Sequence, residues 1–541
     1  MKEWFNKGEH WIWMSSAMVA LSVVLVLGLF GMIAYKGMVH FWPHTVYEYQ
    51  LNTGEKVVGE HRDSKFKEVP VEGQAPEQIE QLLIKVGNRD IYGIDFRWIS
   101  ADELAKAEPD LATNAVVIER YEYGNVYGWY QSFKLNGETL NGVALESALE
   151  AQVAEGKRLH DAIKSIEKSD IGAINYQIEQ LRLEEKRLKA EGEWSDAEAA
   201  RLEQERQELN KQFVEYQAQA QELYKVQKTL GELTVVVSGG TELKVPVKNI
   251  VEYWQPNEMT FVDKAGFFFH GIGRFLTEDP REANTEGGIF PAMIGTITMV
   301  LIMTILVTPM GVIAAVYMRE YAKDGPVLRA VRISINNLAG VPSIVFGIFG
   351  LGFFVYILGG SIDELFYGYA LPSPTFGTPG LLWASLTMAL LTLPVVIVST
   401  EEGLSRIPRS LREGGLALGA TKIEVIQKIV LPMALPAIMT GLILAVARAA
   451  GEVAPLMLVG VVKLAPELPV DAIAPFVHLD RKFMHLGFHI YDVGFQSPNV
   501  EASQPLVYAT SLLLVIIIVG LNLGAISIRN RLREKYKALE H

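Results

Sequence analysis

Hydrophobic and polar positions are strongly segregated along this chain. Residues 11–34 are almost continuously apolar and carry no charge. At ~1.5 Å rise per residue, such a run crosses a ~30 Å hydrocarbon layer as one helix. It is longer than the apolar core of a secretory leader, and no small-x-small cleavage site follows it, so it reads as a retained transmembrane helix. Five further runs come after a long gap, at about 289–318, 333–358, 380–400, 436–461 and 505–528. Each is rich in Leu, Ile, Val, Gly and Ala and long enough to span. The expected fold class is an all-α polytopic membrane protein of six transmembrane helices.

The intervening stretch, 36–288, has a different pattern. Residues 46–69, 115–122 and 128–135 read as strands, and 232–247 reads as a β-hairpin turning at Ser238-Gly-Gly. Between them, about 145–230 is rich in Ala, Glu, Lys, Gln and Leu. Leu202, Leu209, Tyr216, Leu223 and Leu230 recur every seventh position, with Ala199, Phe213 and Ala220 three positions earlier in the repeat. That spacing makes a coiled-coil seam. Ile171, Ile174, Ile178, Leu181 and Leu188 form a matching stripe upstream. The two are separated at 191–195, where Ser195 and Glu198 make a capping box. The expectation is an α+β insertion containing an antiparallel helical hairpin whose second arm, ~35 residues, is ~50 Å long. The hairpin serves either as a self-contained spacer or as a docking site. The Phe-rich segment 261–276 suits a helix lying in the membrane interface, with ordinary domain core as the lesser alternative.

Composition fits this division: half of the 541 residues are hydrophobic, yet 21% are charged. The charge is distributed by side. Lys2 and Lys7 precede the first run. Arg319, Lys323, Arg329 and Arg332 follow the second. Arg406, Arg409, Arg412, Lys422 and Lys428 lie between the fourth and fifth, and the tail 529–541 is basic. The loop 359–379 has no Lys or Arg. The positive-inside rule then makes both termini cytoplasmic and places 36–288 outside, in the periplasm. That segment carries about −15 and the rest of the chain about +2. The chain has no Cys, which excludes thiolate metal sites and a Cys nucleophile. It also has no Gly-x4-Gly-Lys-Ser/Thr loop, so ATP hydrolysis by that route needs another subunit.

The cytoplasmic loop at about 401–432 carries the chemistry. Residues up to Leu418 suit one short helix, Gly419 a sharp turn, and Thr421 the cap of a second helix with Ile423, Val425, Ile426 and Ile429 on its apolar side. Leu431-Pro432 is expected to end that helix at the membrane. A helix–Gly–helix knob of this kind is a handle for another protein. Arg448 and Glu452 stand in the fifth apolar run, where ionisable groups are expensive and face a cavity or a partner. The two are either a mutually neutralising structural pair or a switchable anion site. Asn336, Asn337 and Ser343 are polar candidates in the third run, equally suited to helix–helix hydrogen bonds. His478, His485, His489 and Asp492 lie in the loop 463–504. Their irregular spacing favours a surface for a binding partner over a metal site.

The spacing Glu413-x5-Gly419-x9-Ile429-x-Leu431-Pro432 resembles the EAA-loop signature of ABC importer permeases, with Glu413-Gly-Gly in place of Glu-Ala-Ala. Residues 336–347 (Asn-Asn-Leu-Ala-Gly-Val-Pro-Ser-Ile-Val-Phe-Gly) and 447–456 (Ala-Arg-Ala-Ala-Gly-Glu-Val-Ala-Pro-Leu) look like the phosphate-specific importer permeases. The Ala-Pro-Leu ending points to the A-type rather than the C-type. The resemblance covers 278–541, and the insertion looks like that of a long subgroup. It implies a type I importer permease fold and a non-enzymatic permease subunit with no cofactor of its own and no metal. It implies coupling to ATPase subunits through Glu413, Gly415, Gly419, Ala420, Ile429, Leu431 and Pro432. The implied partners are a homologous permease (PstC-type), two ATP-binding subunits (PstB-type), a periplasmic phosphate-binding protein (PstS-type), phosphate and the lipid bilayer, with no nucleic acid. The implied location is a bacterial inner membrane. Two alternatives are an ABC permease for another oxyanion and a membrane-tethered signalling or scaffold protein.

Overall fold

The computed structural model describes residues 9–69, 77–106, 108–497 and 500–536. Two compact units are present, Phe41–Arg274 and a second formed by the chain before and after it. The first helix, α1 (Glu9–Val39), belongs to the second unit.

In the Phe41–Arg274 unit, β1 (Val46–Gln50), β2 (Lys56–Val69), β3 (Glu77–Lys85), β4 (Phe96–Ser100) and β5 (Asp110–Leu111) form an antiparallel sheet in the order β4-β3-β2-β1-β5. A second sheet has the order β10-β9-β7-β6-β11 and contains β6 (Val116–Arg120), β7 (Val126–Leu135), β9 (Glu232–Val236), β10 (Glu242–Pro246) and β11 (Ile250–Trp254), with β8 (Glu138–Leu140) beside β7. Strands β3, β4, β5, β8 and β11 lie outside the stretches expected to be strands. The sequence of β3, Glu-Gln-Ile-Glu-Gln-Leu-Leu-Ile-Lys, has a helical composition. Pairing with β2 on one side and β4 on the other overrides that preference and buries Leu83 and Ile84 completely.

Helix α2 (Val143–Ser165) repeats its apolar residues at helical spacing, and Leu145, Leu149 and Val153 share one buried core with Leu233, Val235 and Val245 of the second sheet. A π-turn at Ile166–Ile171 carries it into α3 (Gly172–Glu191). Gly192, at φ 76°, ends α3, and the Ser195 hydroxyl accepts the Glu198 N–H to start α4 (Asp196–Gln227). The two arms close on a thin seam of Leu181, Leu188 and Leu202, flanked by Trp194 and Leu209. Arg201–Glu184 (2.7 Å) and Arg206–Glu185 (2.9 Å) bridge them at the surface.

Helix α5 (Phe261–Thr277) follows β11. Phe268 packs edge-on against Phe41, and Trp42 stands 5.8 Å from Phe261, while Phe261, Val262 and Phe269 keep exposed faces. The helix therefore has a packed aromatic side and an open apolar edge.

In the second unit, six helices among the described residues are long and apolar enough to cross a membrane: His10–Val39, Phe290–Tyr321, Ser343–Phe366, Leu381–Ser405, Lys422–Gly451 and Ser503–Leu532. The protein is a multi-pass membrane protein. Its elements after α5 are α6 (Phe290–Val316), α7 (Pro326–Leu338), α8 (Ser343–Phe349), α9 (Gly360–Phe366), α10 (Leu381–Ser405), α11 (Arg409–Ala417), α12 (Lys422–Val425), α13 (Leu431–Gly451), α14 (Ala454–Val459), α15 (Leu486–Tyr491) and α16 (Val500–Tyr536). Helix α10 is the hub: it packs between α6 and α13, and Leu381, Ala384, Met388, Leu391 and Val396 are buried. Its Ser399 hydroxyl donates to the Ala437 carbonyl on α13 at 2.7 Å, the kind of polar link that holds helices in lipid. Helix α1 packs against α16, with Gly37 on the Tyr508 backbone.

Three expectations are corrected. The third span runs over Ser343–Phe366 rather than 333–358, because Gly340 and Pro342 break the helix and leave α7 as a separate amphipathic helix. The fifth span begins at Lys422 and ends at Gly451, with an extended break at Glu452 (φ −84°, ψ 137°) ahead of Pro455, rather than running over 436–461. Leu431-Pro432 does not end the second knob helix. The helical run continues through it: a π-turn at Ile426–Val430 joins α12 to α13, and Pro432 follows directly after that turn inside the span Lys422–Gly451. Residues after α5 fold back on its end, where the Ile289 N–H donates to Phe275 O.

Candidate functional site

The knob between the fourth and fifth spans is built from α11 and α12. Gly419 turns the chain at φ 84°, a conformation that disfavours any side chain. Thr421 then makes a full capping box: its hydroxyl accepts the Glu424 N–H, and the Glu424 carboxylate accepts from the Thr421 backbone N–H (2.9 Å) and hydroxyl (2.8 Å). Gly415 is buried where the helices meet. A Cβ there would lie 2.9 Å from Val425 Cγ2 and 3.1 Å from Ile429 Cδ1, so this glycine sets the close approach, whereas Gly414 faces open space. Ile429 is half-buried, and so are Ala420, Leu431 and Pro432. Glu413 is exposed, and Leu416, Leu418 and Ile423 form an exposed apolar tip on the same knob.

Sequence reasoning missed what holds this knob. Arg412 of α11 donates to Glu320 Oε1 (Nε, 3.1 Å), to the Ile407 carbonyl (2.7 Å) and to the Leu404 carbonyl (2.8 Å). The Arg412 and Glu320 side chains are 18% and 11% exposed, so the pair is largely withdrawn from water. Lys422 of α12 donates to the Glu320 carbonyl and lies 4.4 Å over the Tyr321 ring. In the sequence, Glu320 is one more charge in a cytoplasmic loop.

Arg448 lies in the last turn of α13, and Glu452 is the residue at which that helix stops. They do not share a continuous helical face. Arg448 Nε stands 3.7 Å from Glu452 Oε1, an ion contact longer than a hydrogen bond. Both side chains are partly accessible, at 32% and 24%. The other path candidates stand on other elements. Asn336 lines a cleft of about 290 Å³ with Arg319, Arg332, Glu401 and Ser405, and Arg332 pairs with Glu401 there at 2.5 Å. Asn337 is exposed on α7, and Ser343 opens α8. Among the described residues, no hydrogen bond or ion pair joins Arg448 or Glu452 to Asn336, Asn337 or Ser343.

The His-rich loop is structural in character. His478 Nε2 meets Asp471 at 2.9 Å, and His485 Nδ1 accepts the Gly487 N–H. Burial pulls His485 down to about 3 and His489 to about 4, so both stay neutral imidazoles. Asp492 holds Lys463 (3.0 Å) and Asn284 (3.2 Å). Among the described residues, no three His, Cys, Asp or Glu side chains are grouped to hold a metal ion.

The profile of the family described as binding-protein-dependent transport system inner membrane component matches residues 307–537, which contain the knob, α10 and Arg448. The probable ABC transporter permease protein YqgI of Bacillus subtilis (strain 168) is 30% identical over 259 residues, 47% of this chain and 81% of that protein. The phosphate transport system permease protein PstA of Mycobacterium leprae (strain TN) is 34% identical over 268 residues, 48% of this chain and 78% of that protein. Of the PstA of Yersinia pestis, the chain spans 57%. Among solved structures, the inward-facing MetNI methionine ABC transporter is similar at 18% identity and a TM-score of 0.33, covering 45% of this chain and 97% of that one. The chain belongs to the binding-protein-dependent transport system inner membrane components, the permeases of ABC transporters. Permeases of this family are not themselves enzymes. Within the family, it is a permease of the PstA type.

Proposed function

We propose that this chain is the membrane permease subunit of an ATP-driven importer of inorganic phosphate. It forms the translocation path with a homologous PstC-type permease. Two PstB-type ATP-binding subunits drive it from the cytoplasm, and a PstS-type protein delivers phosphate from the periplasm. The chain lies in the bacterial inner membrane with both termini inside, and the acidic segment 36–288 stands in the periplasm. Free phosphate is repelled by a unit of that charge, which is why delivery falls to a docked carrier.

The observation that carries this reading is the knob. It is a capped helix pair with a glycine turn and an exposed apolar tip of Leu416, Leu418 and Ile423, suited to a groove on a motor subunit. Glu413, Gly415, Gly419, Ala420, Ile429, Leu431 and Pro432 are its coupling residues. The phosphate assignment draws support from the PstA relatives and from Arg448. A doubly charged anion needs a polar lining to cross hydrocarbon. Membrane transporters commonly bind their substrates where helices are interrupted. Here the interruption at Glu452 lies one turn beyond a guanidinium whose present partner is held only at 3.7 Å. Arg448 takes phosphate oxygens through its planar fork, and Glu452 neutralises it between cycles. Asn336, Asn337 and Ser343 are secondary polar contributors to the path.

Radiolabelled phosphate uptake in cells tests this. Glu413→Lys and Gly419→Asp abolish ATP-dependent uptake while the chain remains in the membrane; normal uptake in both refutes the coupling assignment. Arg448→Gln lowers uptake without loss of assembly, and unchanged transport makes the pair purely structural. Competition by sulfate and molybdate at excess leaves phosphate uptake intact, and displacement by either reassigns the substrate.

A further inference from the structure

The knob has to pass its movement to the membrane helices, and covalent continuity reaches only the two spans that flank it, α10 through residues 406–408 and α13 through the π-turn. Helix α12 runs through the π-turn directly into α13. The second span, Phe290–Tyr321, has no chain connection to the knob, since α7, the third span and the fourth span lie between them in sequence. Yet its end is gripped from both knob helices at one residue. The Glu320 carboxylate takes Arg412 of α11, and its main-chain carbonyl takes Lys422 of α12. The remaining Arg412 donors go to the Leu404 and Ile407 carbonyls, at the end of α10 and just beyond it. One guanidinium therefore ties the knob to the ends of two spans at once, in a setting only 11–18% exposed.

We propose that Glu320 is a positioning residue that makes the second span move with the knob, with Arg412 as the pin between that span, α10 and α11. This rests on the coupling role proposed above. The physical case is directional. A planar guanidinium that satisfies one carboxylate and two carbonyls fixes orientation as well as distance, which a single hydrophobic contact does not. Lys422 adds a second point of attachment on the other knob helix, so rotation about the Arg412 contact is blocked. The end of the second span is itself a π-turn, Tyr317–Tyr321, which widens the helix where Glu320 and Tyr321 reach the knob. The pin explains how one motor contact drives the second, fourth and fifth spans together.

The test is stoichiometry in the assembled complex, reconstituted in proteoliposomes with ATP and radiolabelled inorganic phosphate. Glu320→Gln removes the charge and keeps the shape. Phosphate transported per ATP hydrolysed falls at least fivefold, while ATP hydrolysis stays within twofold of the parent. Arg412→Lys retains the charge but loses the fork, and gives an intermediate ratio. Because the chain has no Cys, Glu320→Cys with Arg412→Cys supplies a unique thiol pair, and a short bis-maleimide joining them restores the ratio toward the parent value. An unchanged ratio in Glu320→Gln overturns the proposal. So does a parallel fall of hydrolysis and uptake, which reports lost docking rather than lost transmission. If Glu413→Lys transports normally, the coupling role of the knob fails first; if only Glu320→Gln is silent, the pin alone is wrong.

Discussion

Two helix–turn–helix elements in this chain share one local grammar. In the hairpin, α3 ends at Gly192 (φ 76°) and Ser195 caps α4 through the Glu198 N–H; in the knob, α11 is followed by Gly419 (φ 84°) and Thr421 caps α12 through the Glu424 N–H. They differ in what the arms bury. The hairpin closes on a narrow leucine seam and on ion pairs such as Arg201–Glu184, whose side chains are 41% and 32% exposed and contribute little in high dielectric. The knob closes on Gly415 against Val425 and Ile429 and is bolted to the spans by a mostly buried guanidinium. A pair so far withdrawn from water is screened much less than an exposed one. The same turn chemistry thus builds a self-supporting projection in one place and a rigidly attached lever in the other.

The strongest way to break this contrast is to overfill the knob. Gly415→Leu drives a side chain into Val425 and Ile429 and separates the helices, and phosphate uptake falls more than tenfold with the protein still in the membrane. Gly414→Ala, one residue away on an open face, leaves uptake within twofold. Equal loss in both means that the interior of the knob has no special part.

Acid separates the two units next. His485 and His489 are neutral in the fold, held near 3 and 4 by burial, against about 6.5 when unfolded. Below pH 6.5 the unfolded loop binds protons that the folded loop refuses, so stability is full above that pH and drains as pH falls toward 4. His489 alone accounts for up to ~3 kcal/mol of that loss. The hairpin carboxylates behave differently. Arg182 holds Glu179, and Lys189 with Arg206 holds Glu185, below the usual carboxylate range. Their contribution is present above about pH 4.3 and is lost only below it. Hydrogen exchange between pH 7 and 4, corrected for intrinsic rate, therefore opens amides 485–492 well before amides 196–206. The reverse order contradicts the burial of the histidines.

A smaller effect follows from the seam. Leu202→Ala, at a residue 2% exposed, weakens hairpin closure by about 2 kcal/mol, read as faster exchange across 181–209. Phosphate uptake stays within twofold if the hairpin is a spacer. A drop in uptake makes it a docking element instead.

These regions also mark what the amino acids disclosed and what they withheld. The heptad of Leu202, Leu209 and Tyr216, the Ser195 and Thr421 caps and the Gly419 turn are local signals, carried by residues a turn apart, and all could be read directly. Six apolar runs were equally plain, because lipid demands whole helices. The boundaries were not. Pro342 and Pro455 interrupt runs that hydropathy alone joins, which moved Asn336 and Asn337 onto a separate helix and set Glu452 in a break. The Glu320–Arg412 contact joins residues 92 apart, and β3 owes its form to two neighbouring strands. No local pattern encodes either. Long-range pairing is where a single sequence falls silent.

The finest test of the comparison uses the caps themselves. Ser195→Ala and Thr421→Ala delete the same kind of hydrogen bond, each worth about 1 kcal/mol. In the hairpin, the loss frays the start of α4, seen as faster exchange at the first amides after 195, and leaves uptake unchanged. In the knob, the hydroxyl also donates to the Glu424 carboxylate, so the whole capping box loosens beside the Gly419 turn. Uptake there falls severalfold, although the local energy removed is no larger. If both substitutions leave transport alone, the turn of the knob is merely a turn, and its rigidity comes entirely from Gly415 and Arg412. If both impair transport, the hairpin belongs to the moving machinery, and the division between projection and lever disappears.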